Sequence, residues 1–79
     1  MPRRPTPDDP FLVRFGAQIR ERRLDRNMSI EKLAIASGVC KGSISSIEHG
    51  RVDVTTRTSR KLAKGLGVEV WELFRFEGA

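Results

Sequence analysis

The sequence is poor in the side chains that do chemistry. It holds one cysteine, one histidine and no tyrosine in 79 residues. With Cys40 alone, no disulfide can form within the chain, and an oxidising compartment is not implied. There is no glycine-rich phosphate loop and no spacing of His, Cys, Asp or Glu that fits a metal. The acidic residues are scattered through charged segments, where solvation accounts for them. Neither an enzyme nor a cofactor is expected. No apolar run approaches the roughly 20 residues that span a bilayer, and the start Met1-Pro2-Arg3-Arg4-Pro5 lacks the apolar stretch of a secretory signal. These absences lead us to expect a soluble cytoplasmic protein with no membrane partner.

Positive charge is what the chain has in excess. Fifteen Lys and Arg against ten Asp and Glu give a formal charge of +5. Such a balance favours a polyanion, although solvated basic surfaces are common and charge alone identifies no partner. The length suits one domain with a modest core and would leave no room for a second, effector-sensing one. All four prolines fall within residues 1–10, beside Arg3, Arg4, Asp8 and Asp9. Proline fixes φ and donates no amide hydrogen, so this stretch is expected to be a flexible arm. Arg3 and Arg4 either reach a nucleic-acid groove or have no role. Residues 11–79 would form the domain proper.

From Phe11 onward the pattern is helical. Phe11, Phe15 and Ile19 stack on one face at four-residue spacing, predicting a first helix over about 11–26 that Asn27 closes. Ser29 offers an N-cap to a short second helix, with Leu33 and Ala34 on its buried side and a stop at Ser37-Gly38. A third helix over about 41–48 turns Ile44 and Ile47 inward. A fourth over about 56–66 turns in Leu62, Ala63 and Leu66, and Gly67 ends it. A short fifth helix over about 69–74 is expected from Val70, Trp71, Leu73 and Phe74. No segment alternates at period two for long. The fold class is all-α.

Two short helices joined by a glycine turn describe a helix-turn-helix. With Ile30 as first position, Ala34 falls at the fifth, where the helices cross and little room is available. Gly38 falls at the ninth, where a positive φ is wanted. Ile44 and Ile47, at the fifteenth and eighteenth, face the core. The third helix would enter a major groove about 12 Å wide with its N-terminal turn leading. That leaves Lys41, Gly42, Ser45 and Ser46 facing away from the core. Lys41 can donate to guanine, the serines discriminate weakly, and Gly42 removes a side chain where DNA and backbone approach.

The segments Phe15 to Arg23, Leu33-Ala34, Ser37-Gly38-Val39, Ile44-Ser45, Ile47 to Gly50, Lys61 to Val68 and Leu73-Phe74 resemble the lambda-repressor-like, or XRE-type, helix-turn-helix family. The resemblance runs from about Phe15 to Phe74. It implies a compact five-helix domain, usually dimeric on DNA and acting on transcription, with the helix-turn-helix over about 30–49. Small free-standing members of that family include phage repressors, restriction–modification controller proteins and antitoxins. The resemblance places base contacts at Lys41, Gly42 and Ser46, with Ser43 and Ser45 adjacent. It places phosphate contacts near Ser29 and along His49 to Arg51. Arg51 is the choice by charge, His49 is either a donor or merely exposed, and Cys40 is a small cap or phosphate neighbour. The family also pairs an arginine late in helix one with a glutamate at the end of the recognition helix. Arg23 and Glu48 match, and that pair would set Arg23 near a phosphate.

Two positions depart from the pattern. Ile30 stands where the family often has a phosphate-binding Gln, so it must either pack under another segment or weaken binding. Ser59 and Arg60 stand where apolar residues are common in helix four. At the C-terminus, Val70, Trp71, Phe74 and Phe76 exceed what so short a helix can bury, and a homodimer interface is expected there. The partner would then be double-stranded DNA with two-fold related half-sites, and the function repression or autoregulation. Activation would need an added contact with RNA polymerase. The rival expectation is an antitoxin or anti-activator whose main partner is another protein, met through the same C-terminal apolar residues.

Overall fold

A computed structural model describes residues 9–76. Four α-helices follow one another: α1 (Pro10–Asp25), α2 (Ile30–Ser37), α3 (Lys41–Glu48) and α4 (Thr56–Leu66). The segment Val70–Phe74 is a 3-10 helix, so the expected fifth α-helix is corrected to a single tight turn. Five residues are too few for sequence periodicity to separate three residues per turn from 3.6. Here Glu69 and Glu72 form a capping box, with the Glu69 amide donating to Glu72 Oε2 at 2.8 Å.

Local chemistry sets the boundaries. α1 starts at Pro10, not Phe11, because Asp9 is its N-cap and accepts from the amides of Phe11 and Leu12 at 3.0 and 3.3 Å. Proline suits the first helical position, where its missing N–H would have had no intrahelical partner. The expected arm therefore loses its last two residues to the helix start, and Arg3 and Arg4 lie outside the described residues. Asn27, at φ 55°, ends the α1 region in the left-handed conformation. Ser29 Oγ accepts from the Lys32 amide at 3.0 Å to open α2, and Gly38 at φ 76° closes it. A Cβ at Gly38 would meet nothing within 4 Å, so backbone conformation alone requires glycine there.

α1 packs on α3, and α2 packs on both α3 and α4; the 3-10 turn closes against α4 and α1. Phe15, Ile19, Leu33, Ile44, Leu62, Leu66 and Leu73 are fully buried where these elements meet. Ser59 is buried in α4 while Arg60 is exposed, so only one of the two polar departures in that helix touches the core. Polar side chains of α1 and of its C-cap residue Arg26 then hold the chain's later carbonyls. Arg26 Nη1 donates to the Leu66 carbonyl at 3.0 Å, at the end of α4. Arg22 Nη2 donates to the Glu72 carbonyl at 3.2 Å, and Gln18 Nε2 to that of Arg75 at 3.3 Å. The first satisfies a carbonyl of the last turn of α4, whereas the Glu72 carbonyl also accepts from the Arg75 amide at 3.3 Å and gains a second donor from Arg22.

Candidate nucleic-acid interface

α3 is fixed from behind by two devices on α1. The first is close approach: a Cβ on Gly16 would overlap the carbonyl of Ile47 and lie 2.8 Å from that of Glu48, so only glycine lets the helices touch. The second is Arg23, which is 7% exposed. Its Nε donates to Glu48 Oε2 at 2.8 Å, Nη2 to Oε1 at 3.1 Å, and Nη1 to the Met28 carbonyl at 2.8 Å. A bidentate fork of this kind fixes direction as well as distance. The hydrogen bonds to Glu48 raise the Arg23 guanidinium above its ordinary value, outweighing burial, and the carboxylate's charge adds to the rise.

The face of α3 turned away from Ile44 and Ile47 holds the expected base-reading residues together. Lys41, Gly42 and Ser43 are exposed, and Ser45 and Ser46 are half-buried. A Cβ at Gly42 would meet nothing within 4 Å, so its lack of a side chain leaves open space, not a packed contact. Gly42, Ser43 and Ser46 border a groove whose far wall is Val52, Asp53, Val54 and Thr55. At the edge of this face away from the groove, Lys41 Nζ lies 3.6 Å from Glu31 Oε2 of α2. That tether joins the two helices of the motif across their turn, and the sequence reading missed it.

The expected phosphate contacts separate into two groups. Ser29, Cys40, His49 and Arg51 are all exposed. Cys40 occupies the N-cap of α3 but makes no side-chain capping bond, so the amides of the first turn keep no such partner. His49 Nδ1 lies 2.7 Å from the Ser45 carbonyl. A carbonyl only accepts, so Nδ1 is the donor in this contact. Arg23 behaves differently. It is buried and its fork is committed to Glu48 and Met28, so it supports α3 from inside. Arg20, one turn earlier and exposed, borders the same cleft with Ile30, Glu48 and His49. Its three-residue offset from Arg23 was the available signal for it. Ile30 itself is partly buried against the core, the first of the two outcomes expected for a residue that lacks the family's amide.

The C-terminal apolar group is also divided. Trp71 is 62% and Phe74 40% exposed, whereas Val70 and Phe76 are half-buried. Phe74 packs on Phe15 with ring centroids 4.9 Å apart, and Phe76 on Phe11 at 5.4 Å. Phe11, which shares a helical face with Phe15 and Ile19, is 41% exposed and joins this aromatic cluster at the surface.

Comparison with known proteins agrees with this geometry. The sequence pattern of the family described as Helix-turn-helix domain matches residues 14–73. The control protein C.BamHI of Bacillus amyloliquefaciens is 40% identical over 63 residues, which cover 78% of each chain. The crystal structure of the restriction-modification controller protein C.AhdI from Aeromonas hydrophila superposes with a TM-score of 0.78 at 38% identity, over 80% of this chain and 96% of that one. The wild-type controller protein C.Esp1396I gives a TM-score of 0.77 at 28% identity, over 85% and 87%. With its glycine turn, its buried Arg23–Glu48 lock and its open α3 face, this chain belongs to the helix-turn-helix domain family, of the lambda-repressor-like XRE type.

Proposed function

We infer that the chain is a sequence-specific, double-stranded DNA-binding regulator of transcription that lays α3 in the major groove. One observation carries this reading: α3 is locked from behind by Gly16 and Arg23–Glu48 while its opposite face stays open and lined by short polar side chains. A helix that enters a groove needs such rigid backing and little bulk in front. Lys41 would donate to guanine once it leaves Glu31, and Gly42, Ser43, Ser45 and Ser46 would let the backbone approach the base edges. The uncapped first turn of α3 beside Cys40, together with Ser29, His49, Arg51 and Arg20, would hold phosphates on either side. Arg23 would act through Glu48 more than by touching DNA.

Homodimerisation through Trp71 and Phe74, with Val70 and Phe76 at the margin, would match two half-sites. The likeness to proteins named as controllers supports regulation of a small set of genes, with autorepression the simplest outcome for a compact basic regulator in the cytoplasm. An added contact with RNA polymerase would turn the same docking into activation.

Footprinting on the DNA upstream of its own gene, followed by titration of that site and a scrambled duplex at two salt concentrations, tests the reading. A protected two-fold site with at least roughly a thousandfold preference is expected. Equal affinity for both duplexes, lost steeply with salt, would overturn it. Trp71→Ser should lower the sedimentation mass toward a monomer; an unchanged dimer would remove that surface from the interface.

A further inference from the structure

We propose that the outer face of α4 is a docking surface for an acidic segment of another protein, one whose acidic residues are interleaved with apolar ones. Arg57, Arg60, Lys61 and Lys64 fall at helical offsets of three, four and seven, so they form one stripe about 10 Å long. All four are exposed, and on the opposite side Ser59, Leu62 and Leu66 are buried. Among the described residues, the ion pairs are Arg23–Glu48 and Lys41–Glu31, and neither uses the stripe. Helix stability does not account for the stripe, since only Lys64, in the last turn, complements the helix dipole. Arg57 with Lys61 and Arg60 with Lys64 are like charges four residues apart, an arrangement that opposes helix formation.

The surroundings of the stripe select the partner. The four cations border an open trough that also includes Ala63, Val68 and Val70, with Glu69 as its one acidic lining residue. A phosphate backbone has no use for apolar side chains, whereas a peptide with both carboxylates and aliphatic groups meets both kinds of lining. The trough shares no lining residue with the groove beside α3. A second copy paired two-fold across this face would bring identical cations together, and such juxtaposition is costly. Charge complementarity therefore favours an acidic partner seated over α4, where the trough meets the margin of the proposed dimer contact at Val70 alone.

The test uses the full chain, uniformly labelled with 15N, titrated with a short peptide of repeated Glu-Glu-Leu. An all-Glu peptide and a short oligo-dT strand run in parallel. Saturable shifts at the backbone amides of residues 57–70 are expected, with affinity about tenfold weaker for the all-Glu peptide. The double variant Arg60→Glu/Lys64→Glu, whose substitutions lie on the surface, should keep its circular-dichroism melt and its duplex binding yet lose the peptide by a similar factor. Shifts confined to other helices, or no saturation, would overturn the proposal. So would tighter binding of oligo-dT at this face, or weaker duplex binding by the double variant, because either would make α4 a nucleic-acid surface. If α3 failed to select any DNA sequence, the peptide result would still stand or fall by itself.

Discussion

α3 turns one cation to solvent on its open face, and that one is tethered: Lys41 lies 3.6 Å from Glu31. α4 turns out four, and among the described residues none is paired with a carboxylate. The helix with the geometry to read DNA is thus nearly neutral at its face, while the helix with the charge lies elsewhere. The contrast separates attraction from readout. Net charge brings a polyanion near, but discrimination depends on which atoms stand at the base edges and how firmly they are held. A formal +5 therefore describes the chain without locating its interface.

The comparison can be broken from behind. Gly16→Val should force α1 away from α3 and cost about 3 kcal/mol or more by overpacking, enough to abolish most of the cooperative melt of so small a domain. A melt within a few degrees of the parent would show that the α1–α3 approach is not needed. Glu48→Ala should strand the Arg23 guanidinium and cost about 3 kcal/mol, with duplex binding lost alongside stability. If the melt did not move, the lock would not be what holds α3.

Smaller changes sharpen it. Lys41→Ala should weaken binding to a footprinted site by about 1–3 kcal/mol and relax selectivity at one guanine, whereas Arg60→Ala should leave that titration unchanged. Equal losses in both variants would erase the distinction between the two helices. The mildest change is Glu31→Gln, which frees Lys41. Exposed pairs contribute about 1 kcal/mol or less, so a modest gain in affinity for all duplexes and a slightly steeper salt dependence are expected. A loss of affinity would mean that Glu31 presents Lys41 to DNA instead of restraining it.

Most of the fold was legible because its signals are local. Ser29 and Gly38 bracket α2 through a side-chain acceptor and a left-handed turn, and both act within a few residues of sequence. The inward faces at Phe15, Ile19, Ile44, Ile47, Leu62 and Leu66 follow from helical spacing alone. What escaped depends on contacts between distant residues, or on rules that reverse with position. Pro10 looked like a breaker because nothing in composition shows that Asp9 will cap the helix before it. Phe11 shared the spacing of Phe15 and Ile19, yet it lies near the chain's edge and meets Phe76 at the surface.

Of the candidate site, the positions on one face of α3 were legible for the same reason. The positions on α3 follow from the motif, but Lys41's tether to Glu31 and Arg23's bond to the Met28 carbonyl are three-dimensional facts. The polar character of α4 was visible in Arg60. Its organisation into a stripe bordering Val68 and Val70 needed the chain to turn back at Gly67.

The uncapped start of α3 implies a compromise between durability and use. An aspartate at position 40 would accept from the amides of the first turn and add about 1 kcal/mol to folding, yet it would set a carboxylate where the proposed docking seats a phosphate. Cysteine at that position leaves α3 weaker at its leading end than it could be. Selection of variants for heat resistance alone should therefore favour acceptor side chains at position 40 and return proteins that melt later and regulate worse.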